Sequence, residues 1–522
     1  MNKYSKILIF LLIAGSLFIS CDLDRFPENS IAAPESLRNI EDARNWDNGI
    51  FAFFRGRQYG IFTFAQDVQA DQLNATIGWG NRNAMMHTWI NLTPQDFTVR
   101  DVWFGYYRAL VNVNHLINSY PELYGRLTSA ADRALLNRFL GNAHLARAFY
   151  YNELALRWSP SFNPVTAATT LSIPLVTEFN VAERPARATL QEVYDLILSD
   201  IATARTLLAG VPGRPGYTRF SIDAVTALEA RVRLYMQDWA GAFAAANSLI
   251  TSGIYPLETT IAGLENLWIY DNSSEVIMQS HISAPLELPN ALHPIAGTAN
   301  IITNNTIYLT LSSATGFYSP DFLPSQWVVD MFDMNDIRRA VYFSNTGTIQ
   351  LEGNQFTGIY RVTKFRGNPA IPNSRYGGGG TVQAASNAQA PKVFRIAEMY
   401  LIAAEAAFRM GNEAGALTAL NTLRQARGLN AVNTLSAAVG SAPPQEIQDE
   451  RFRELAFEGF RLFDLRRWGL GIERRYPQNT ALLVSGDGLF NFTRPADNHM
   501  FVWPIPADDI LTNPNLEQNR GW

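Results

Sequence analysis

The spacing of apolar residues predicts helices along most of this chain. Ile40, Ala43, Ile50 and Phe54 fall on one side of a helix drawn over Glu35–Phe54. Trp103, Tyr106, Tyr107, Leu110, Val113, Leu116 and Ile117 do the same over Val102–Tyr120, with Pro121 as the expected stop. Helices follow at Gly141–Trp158 and Thr189–Leu208, the second opened by Thr189 and Glu192 at capping-box spacing. Ser221–Gly253 reads as a helix to Gln237, a turn near Asp238, and a second helix closed by Gly253.

That last unit has a counterpart. Glu229-Ala230 to Gly253 and Glu405-Ala406 to Gly428 are helix–turn–helix segments of nearly equal length, with Ala242 and Ala416 early in the second helix of each. A full unit of roughly 34 residues is the tetratricopeptide period. Such units bury their apolar faces only against neighbours. Helix pairs at 35–120, 141–208, 221–253 and 394–428 are therefore expected to stack into one right-handed array. Elsewhere the helical period is lost. Phe62–Phe97, rich in Asn, Gly and Trp, reads as a surface loop. Tyr255–Arg366 is richer in Pro, Asn and β-branched residues, and short strands are predicted at Glu275–Ser280 and Ile359–Phe365. Arg366–Pro391, containing Gly377–Gly380, reads as a long loop. The fold class is mainly α, with a loop-rich second half holding short strands.

Charge is concentrated at Gln445–Gly469, QEIQDERFRELAFEGFRLFDLRRWG, read as one helix after Pro443-Pro444. Glu450, Glu454 and Glu458 then share a face, where unpaired like charges would destabilise a helix. Arg451, Arg453, Arg461, Arg466, Arg467 and Asp464 stand nearby. Arginine suits bidentate, partly buried pairing with carboxylates. Balanced arginine would depress the carboxylate pKa values, so a structural ion-pair role is preferred over an acid–base pair of a hydrolase.

This stretch resembles the C-terminal signature of the SusD/RagB family, the nutrient-binding outer-membrane lipoproteins of Bacteroidetes. EMYLIAAEAAFRMGN at Glu398–Asn412, ALTALNTLRQARG at Ala416–Gly428 and the terminal VWPIPADDILTNPNLEQNRGW match the same family. The resemblance implies four tetratricopeptide-like pairs in a single unit over residues 35–522, with 445–522 as its signature. It also implies a surface protein that captures oligosaccharide or polysaccharide and delivers it to a SusC-like TonB-dependent transporter. Peptide is the alternative ligand, as in the RagB branch.

The amino terminus fits that picture. Lys3 and Lys6 precede an apolar run at Ile7–Ile19, too short to span a bilayer but suited to a secretory signal over residues 1–20. Cys21 is the single cysteine of the chain and the expected lipidation site, followed by Asp22, Asp24 and a tether over 21–34. A single cysteine excludes an intramolecular disulfide and four-cysteine zinc sites. A net charge of −5 disfavours a nucleic-acid partner. The resemblance implies a location on the exterior face of the outer membrane, with the lipid as its anchor.

Chemistry beyond that is a binder's. His87, His115, His144, His281, His293 and His499 form no close metal-ligand spacing, and no nucleophile elbow or phosphate loop is present. No cofactor, metal or catalytic residue is expected. Trp79 and Trp89 flank GNRNAMMHT, with Asp67 and Asp71 before them. Aromatic faces among Asp, Asn and Arg suit a ligand with both apolar faces and hydroxyls. Trp79, between Gly78 and Gly80, suits a core ring or a ligand platform equally, whereas helical spacing assigns Trp103 to the core. The candidate ligand residues are Asp67, Asp71, Trp79, Asn81, Arg82, Trp89, Tyr318, Arg375 and Tyr376, carried by loops at 62–97 and 255–391. A surface glycosidase and a purely structural scaffold are the remaining function classes.

Overall fold

The computed structural model describes residues 37–78, 84–90, 92–178, 180, 182–282, 316–371, 389–484, 491 and 493–522. Helix α1 (Ile40–Gly56) begins where the Asn39 side chain accepts the Glu41 and Asp42 N–H groups, and it buries Ala43, Ile50 and Phe54. Helix α2 (Ile61–Gln69) follows, then a short helix at Ala84–Thr88 and the long α3 (Phe97–Arg126), capped by Asp96. Ser129 caps α4 (Ala130–Trp158), and the Thr189–Glu192 capping box forms at the start of α5 (Leu190–Leu207). Ser221 caps α6 (Ile222–Tyr235) and Asp238 caps α7 (Trp239–Thr251), after which Gly253 turns the chain at φ +66°.

The chain then leaves the array through α8 (Ile261–Trp268) and returns as α10 (Ile396–Arg409) and α11 (Glu413–Ala426), with α9 (Ile337–Tyr342) between. Among the described residues the pairs α1/α3, α4/α5, α6/α7 and α10/α11 pack in that order. Helix α3 lies on α4, α5 on α6, and α7 directly on α10, so the array is continuous although its chain is not. Alanines permit the close approach at that junction: Ala242 and Ala246 of α7 and Ala403, Ala404, Ala406 and Ala407 of α10 are buried.

Strand β1 (Leu73–Ala75) pairs antiparallel with β3 (Phe322–Pro324), and β2 (Val276–Gln279) with β8 (Lys392–Arg395). Strand β4 (Phe343–Ser344) pairs with β7 (Arg361–Val362), β5 (Thr348–Leu351) with β6 (Asn354–Thr357), and β9 (Ile472–Glu473) with β10 (Thr493–Arg494). The expected strands at 275–280 and 359–365 are β2 and β7.

Three expectations are corrected. Helix α3 does not stop at Pro121. It continues to Arg126, because buried Leu123 and the Tyr124 ring, 5.3 Å from Tyr120, hold the last turn across the missing N–H bond. The described residues of 62–97 do not form a surface loop. Ala65, Val68, Leu73, Ala75, Trp89 and Leu92 are buried, and polar Gln66 and Gln69 are buried with them. The signature stretch is two helices, α12 (Gln445–Glu454) and α13 (Arg461–Arg467). Phe457 and Gly459 break it at φ +65° and +83°, and a Cβ on Gly459 would lie 2.7 Å from the Thr63 carbonyl oxygen.

Candidate functional site

Strand β1 carries the chain out of the main core into a separate apolar cluster of Leu323, Ile349, Leu351, Leu482 and Leu483. Ile77 donates its N–H to the Leu482 carbonyl at 2.9 Å, and Thr76 Oγ1 donates to the Pro320 carbonyl at 2.8 Å. At Gly78 the backbone passes so close to β5 that a Cβ would lie 3.2 Å from Leu351 Cδ2. Trp79, Asn81, Arg82, Arg375, Tyr376 and the lipidation candidate Cys21 all lie outside the described residues.

Tyr318 sits in this layer. Its N–H donates to the Thr348 carbonyl and its own carbonyl accepts from Gln350, each at 2.9 Å, which fixes its backbone beside β5. The half-buried ring is clamped. Gly347, at φ +86°, lies against one edge, where a Cβ would stand 2.9 Å from Cε2. The Arg361 guanidinium covers one face at 3.4 Å from the ring centre. Arg361 is 2% exposed and donates to the Thr346 carbonyl. Burial lowers its pKa, the Tyr318 hydroxyl partly offsets this, and no carboxylate of the described residues pairs with it.

Asp67, Asp71 and Trp89 are corrected from ligand candidates to residues that seat the end of α2. Asp67 is fully buried and accepts the Gly459 N–H at 2.9 Å; burial pushes its carboxyl well above the usual carboxylate range. Asp71 holds Arg461 of α13 through two bonds of 2.9 and 2.8 Å. Trp89, 1% exposed, donates from Nε1 to the Gln69 carbonyl at 2.8 Å and meets Phe501 edge-on at 5.2 Å. Arg474, absent from the sequence reading, lays its guanidinium on the Val68, Gln69 and Ala70 carbonyls, the C-terminal end of α2.

The signature carboxylates are also structural. Arg338 contacts Glu450 at 2.7 Å, Glu454 at 2.9 Å and Asp336 at 2.7 Å. Arg427 bridges Glu454 and Glu275, and Arg395 bridges Glu275, Glu454 and Glu458. Burial alone would raise Glu450, but Arg338 and Arg453 outweigh it and hold its pKa at about 2. Arg427 and Arg395 likewise hold Glu454 well below the carboxylate range. Groups held ionised so firmly make poor proton donors at neutral pH. Glu458 lies past the helix break and turns to Lys364 at 2.7 Å. Arg451 and Arg467 pair with Asp464, and Arg467 reaches Glu405, as the local arginine density suggested. Arg338, Arg395 and Lys364 carried no local signal, since they arrive from distant segments.

Between α2, α4, α6, β8 and the 455–460 turn lies a pocket of about 100 Å³, walled by the ion pairs Arg157–Glu153, Arg231–Glu398 and Arg395–Glu458. It has room for a few waters, which occupy about 30 Å³ each in the liquid, and is too small for an oligosaccharide. Among the described residues no group of three or more His, Cys, Asp or Glu is placed to hold a metal ion, and no helix is long and apolar enough to cross a membrane.

Fold and site together define a helical-repeat protein with a surface layer of loops built into the repeat array. Two family models match it: the SusD family over residues 301–522, and a family described as starch-binding and associating with the outer membrane over residues 47–234. The chain belongs to the SusD/RagB family. It is 26% identical to SusD-like protein P38 of Formosa agariphila, over 99% of each chain. It is 35% identical to the starch-binding protein SusD of Bacteroides thetaiotaomicron over 130 residues, 25% of this chain and 21% of that one. A solved SusD superfamily protein of Bacteroides thetaiotaomicron shares the fold with a TM-score of 0.73 at 22% identity, covering 92% of this chain and 99% of the other.

Proposed function

We propose that this protein is a non-enzymatic, cell-surface lipoprotein that captures oligosaccharide at the Tyr318 layer and passes it to a TonB-dependent outer-membrane transporter. The observation that carries the reading is the Tyr318 ring, half-buried and held by Gly347 and Arg361 on a layer that stands apart from the main core. A fixed aromatic face loses little conformational entropy when a sugar stacks on it. The starch-binding relative and the matched family description support a glycan as the ligand. The pinned state of Glu450 and Glu454 argues against acid–base chemistry at the signature.

For the partner, the outer face of α3 offers support. Phe97 and Phe104, 66% and 55% exposed, and Val111 recur every seven residues along that helix, the spacing of one face. Exposed apolar stripes of this kind mark protein contacts. The first test is titration of the purified protein against starch-derived and other oligosaccharides, with a peptide series alongside. Saturable binding of a glycan without turnover is expected; binding confined to peptides, or cleavage of the glycan, would overturn the reading. For the partner, one large outer-membrane protein should co-purify in mild detergent and be lost with Phe104→Glu.

A further inference from the structure

Resting on the glycan-binding reading above, we propose that the ligand of the Tyr318 layer is an anionic glycan, carrying carboxylate or sulfate groups. It would be selected through the unmatched charge of Arg361 behind the ring.

The inference comes from how buried guanidinium groups are satisfied in this chain. Arg338 meets three carboxylates, so its field is closed locally. Arg57 is buried with no carboxylate in its described bonds, but it donates two bonds to the Gly105 carbonyl and one to that of Phe53. Arg361 is different. Its one side-chain hydrogen bond among the described residues goes to the Thr346 carbonyl, and Nε has no partner there. Neither Asp321 nor Glu352, the acidic residues of the flanking segments, pairs with it. The charge therefore has no counter-ion in the described layer, and it lies 3.4 Å behind the half-exposed ring.

A sugar stacked on the opposite face of Tyr318 would lie one ring thickness further out, roughly 7–8 Å from the guanidinium. At that separation and an effective dielectric of roughly 20 to 40, Coulomb attraction favours an anionic sugar about six- to fortyfold over its neutral counterpart. The preference should weaken with salt, as attraction to a charge carried by a surface-bound ligand does. The chain's net charge of −5 works against indiscriminate polyanion binding, so a preference of this sign must come from a local site.

The test uses the full-length protein and matched glycan pairs that differ only in charge. Polygalacturonate is compared with its methyl ester, and dextran sulfate with dextran, by calorimetry and affinity electrophoresis at low and high salt. The expected result is at least fivefold tighter binding of the charged member in one pair, which also tells carboxylate from sulfate. The preference should disappear in Arg361→Met, and Arg361→Lys should retain part of it. Circular dichroism establishes that each variant is folded, and the wild-type comparison stands even where a variant is not. Equal binding of both members, or a charge preference that survives in folded Arg361→Met, would overturn the inference while leaving glycan binding intact. Failure to bind any member of a broad glycan array, neutral starch oligosaccharides included, would overturn the glycan reading itself and this inference with it.

Discussion

Arg338 and Arg361 are both buried arginines, and the contrast between their surroundings separates scaffold from site. Arg338 is ringed by Asp336, Glu450 and Glu454 in the seam between the signature helices and the loop-rich half. Arg361 lies under a half-exposed tyrosine, outside the main core, with no carboxylate partner among the described residues. A buried charge with full partners is costly to disturb and has nothing left to offer a ligand. A buried charge with no carboxylate partner among the described residues, next to a half-buried aromatic ring, keeps its charge for a ligand. Matching of charge, more than density of charge, distinguishes the two regions.

The largest effect should come from opening the matched side. Glu454 contacts Arg338, Arg395 and Arg427, so Glu454→Ala should cost about 3–5 kcal/mol in denaturant unfolding by stranding buried guanidinium groups. Glycan affinity of the folded fraction should stay unchanged. Lost binding with normal stability would erase the contrast between the regions.

Acid should reach the same seam in the wild type. Glu450 has a folded pKa of about 2, depressed from 4.5. A depressed carboxylate contributes stability that is fully present above its unfolded pKa and lost as pH falls through the folded one. Stability should therefore decline between about pH 5 and pH 2, by a few kcal/mol for this group, and Glu450→Gln should flatten that decline. An unchanged slope would mean the seam is not the acid-labile element.

On the unmatched side the effect should be confined to the ligand. Tyr318→Ala should weaken glycan binding about tenfold, or about 1.4 kcal/mol, while shifting the melting temperature little. A large loss of stability with normal binding would make Tyr318 a core residue. The smallest effect is expected at Asp67, whose carboxyl is raised by burial and bonded by the Gly459 N–H. A raised carboxylate contributes stability below its unfolded pKa that is lost as pH climbs through the folded value. Asp67→Asn should therefore be neutral near pH 4 and stabilising at pH 8, on the order of 1 kcal/mol, measured by unfolding at both pH values.

The scaffold was legible because its signals are local. Thr189 with Glu192, Ser221, Asp238 and Gly253 each mark a helix end within a few residues of the periodic stretch they bound. The seam was legible only in half: the carboxylates and nearby arginines stand together at 450–467, but Arg338, Arg395 and Glu275 come from strands and turns far along the chain. Helix α2 was misread because it buries Gln66, Asp67 and Gln69, which disguise its apolar period. Two of those polar groups bond remotely: Gln69 to Trp503 and Met500, and Asp67 through one carboxylate oxygen to Gly459. The break at Phe457 had one visible cue, Gly459, which an uninterrupted helix would not favour. Of the ligand candidates, Tyr318 alone keeps a half-exposed ring among the described residues. Its clamp, Gly347 and Arg361, carries no motif at all.

The direct seating of α7 on α10 has a topological meaning. Everything from Ser252 to Arg395 is a detour that begins and ends at adjoining points of one array, with β2 and β8 paired across its neck and Arg395 bonded to Glu275 beside them. A loop whose two ends are stapled costs the scaffold only slowly growing closure entropy as it lengthens, about 0.6 kcal/mol for each doubling. Stretches of the detour away from Glu275, Arg338 and Arg395, which tie it to the signature helices, can thus lengthen or shorten without disturbing the register of the repeats. The same staple makes the last repeat wait: α10 cannot dock until the detour has been synthesised and its neck has closed, so the array should complete late, after the first three pairs have formed.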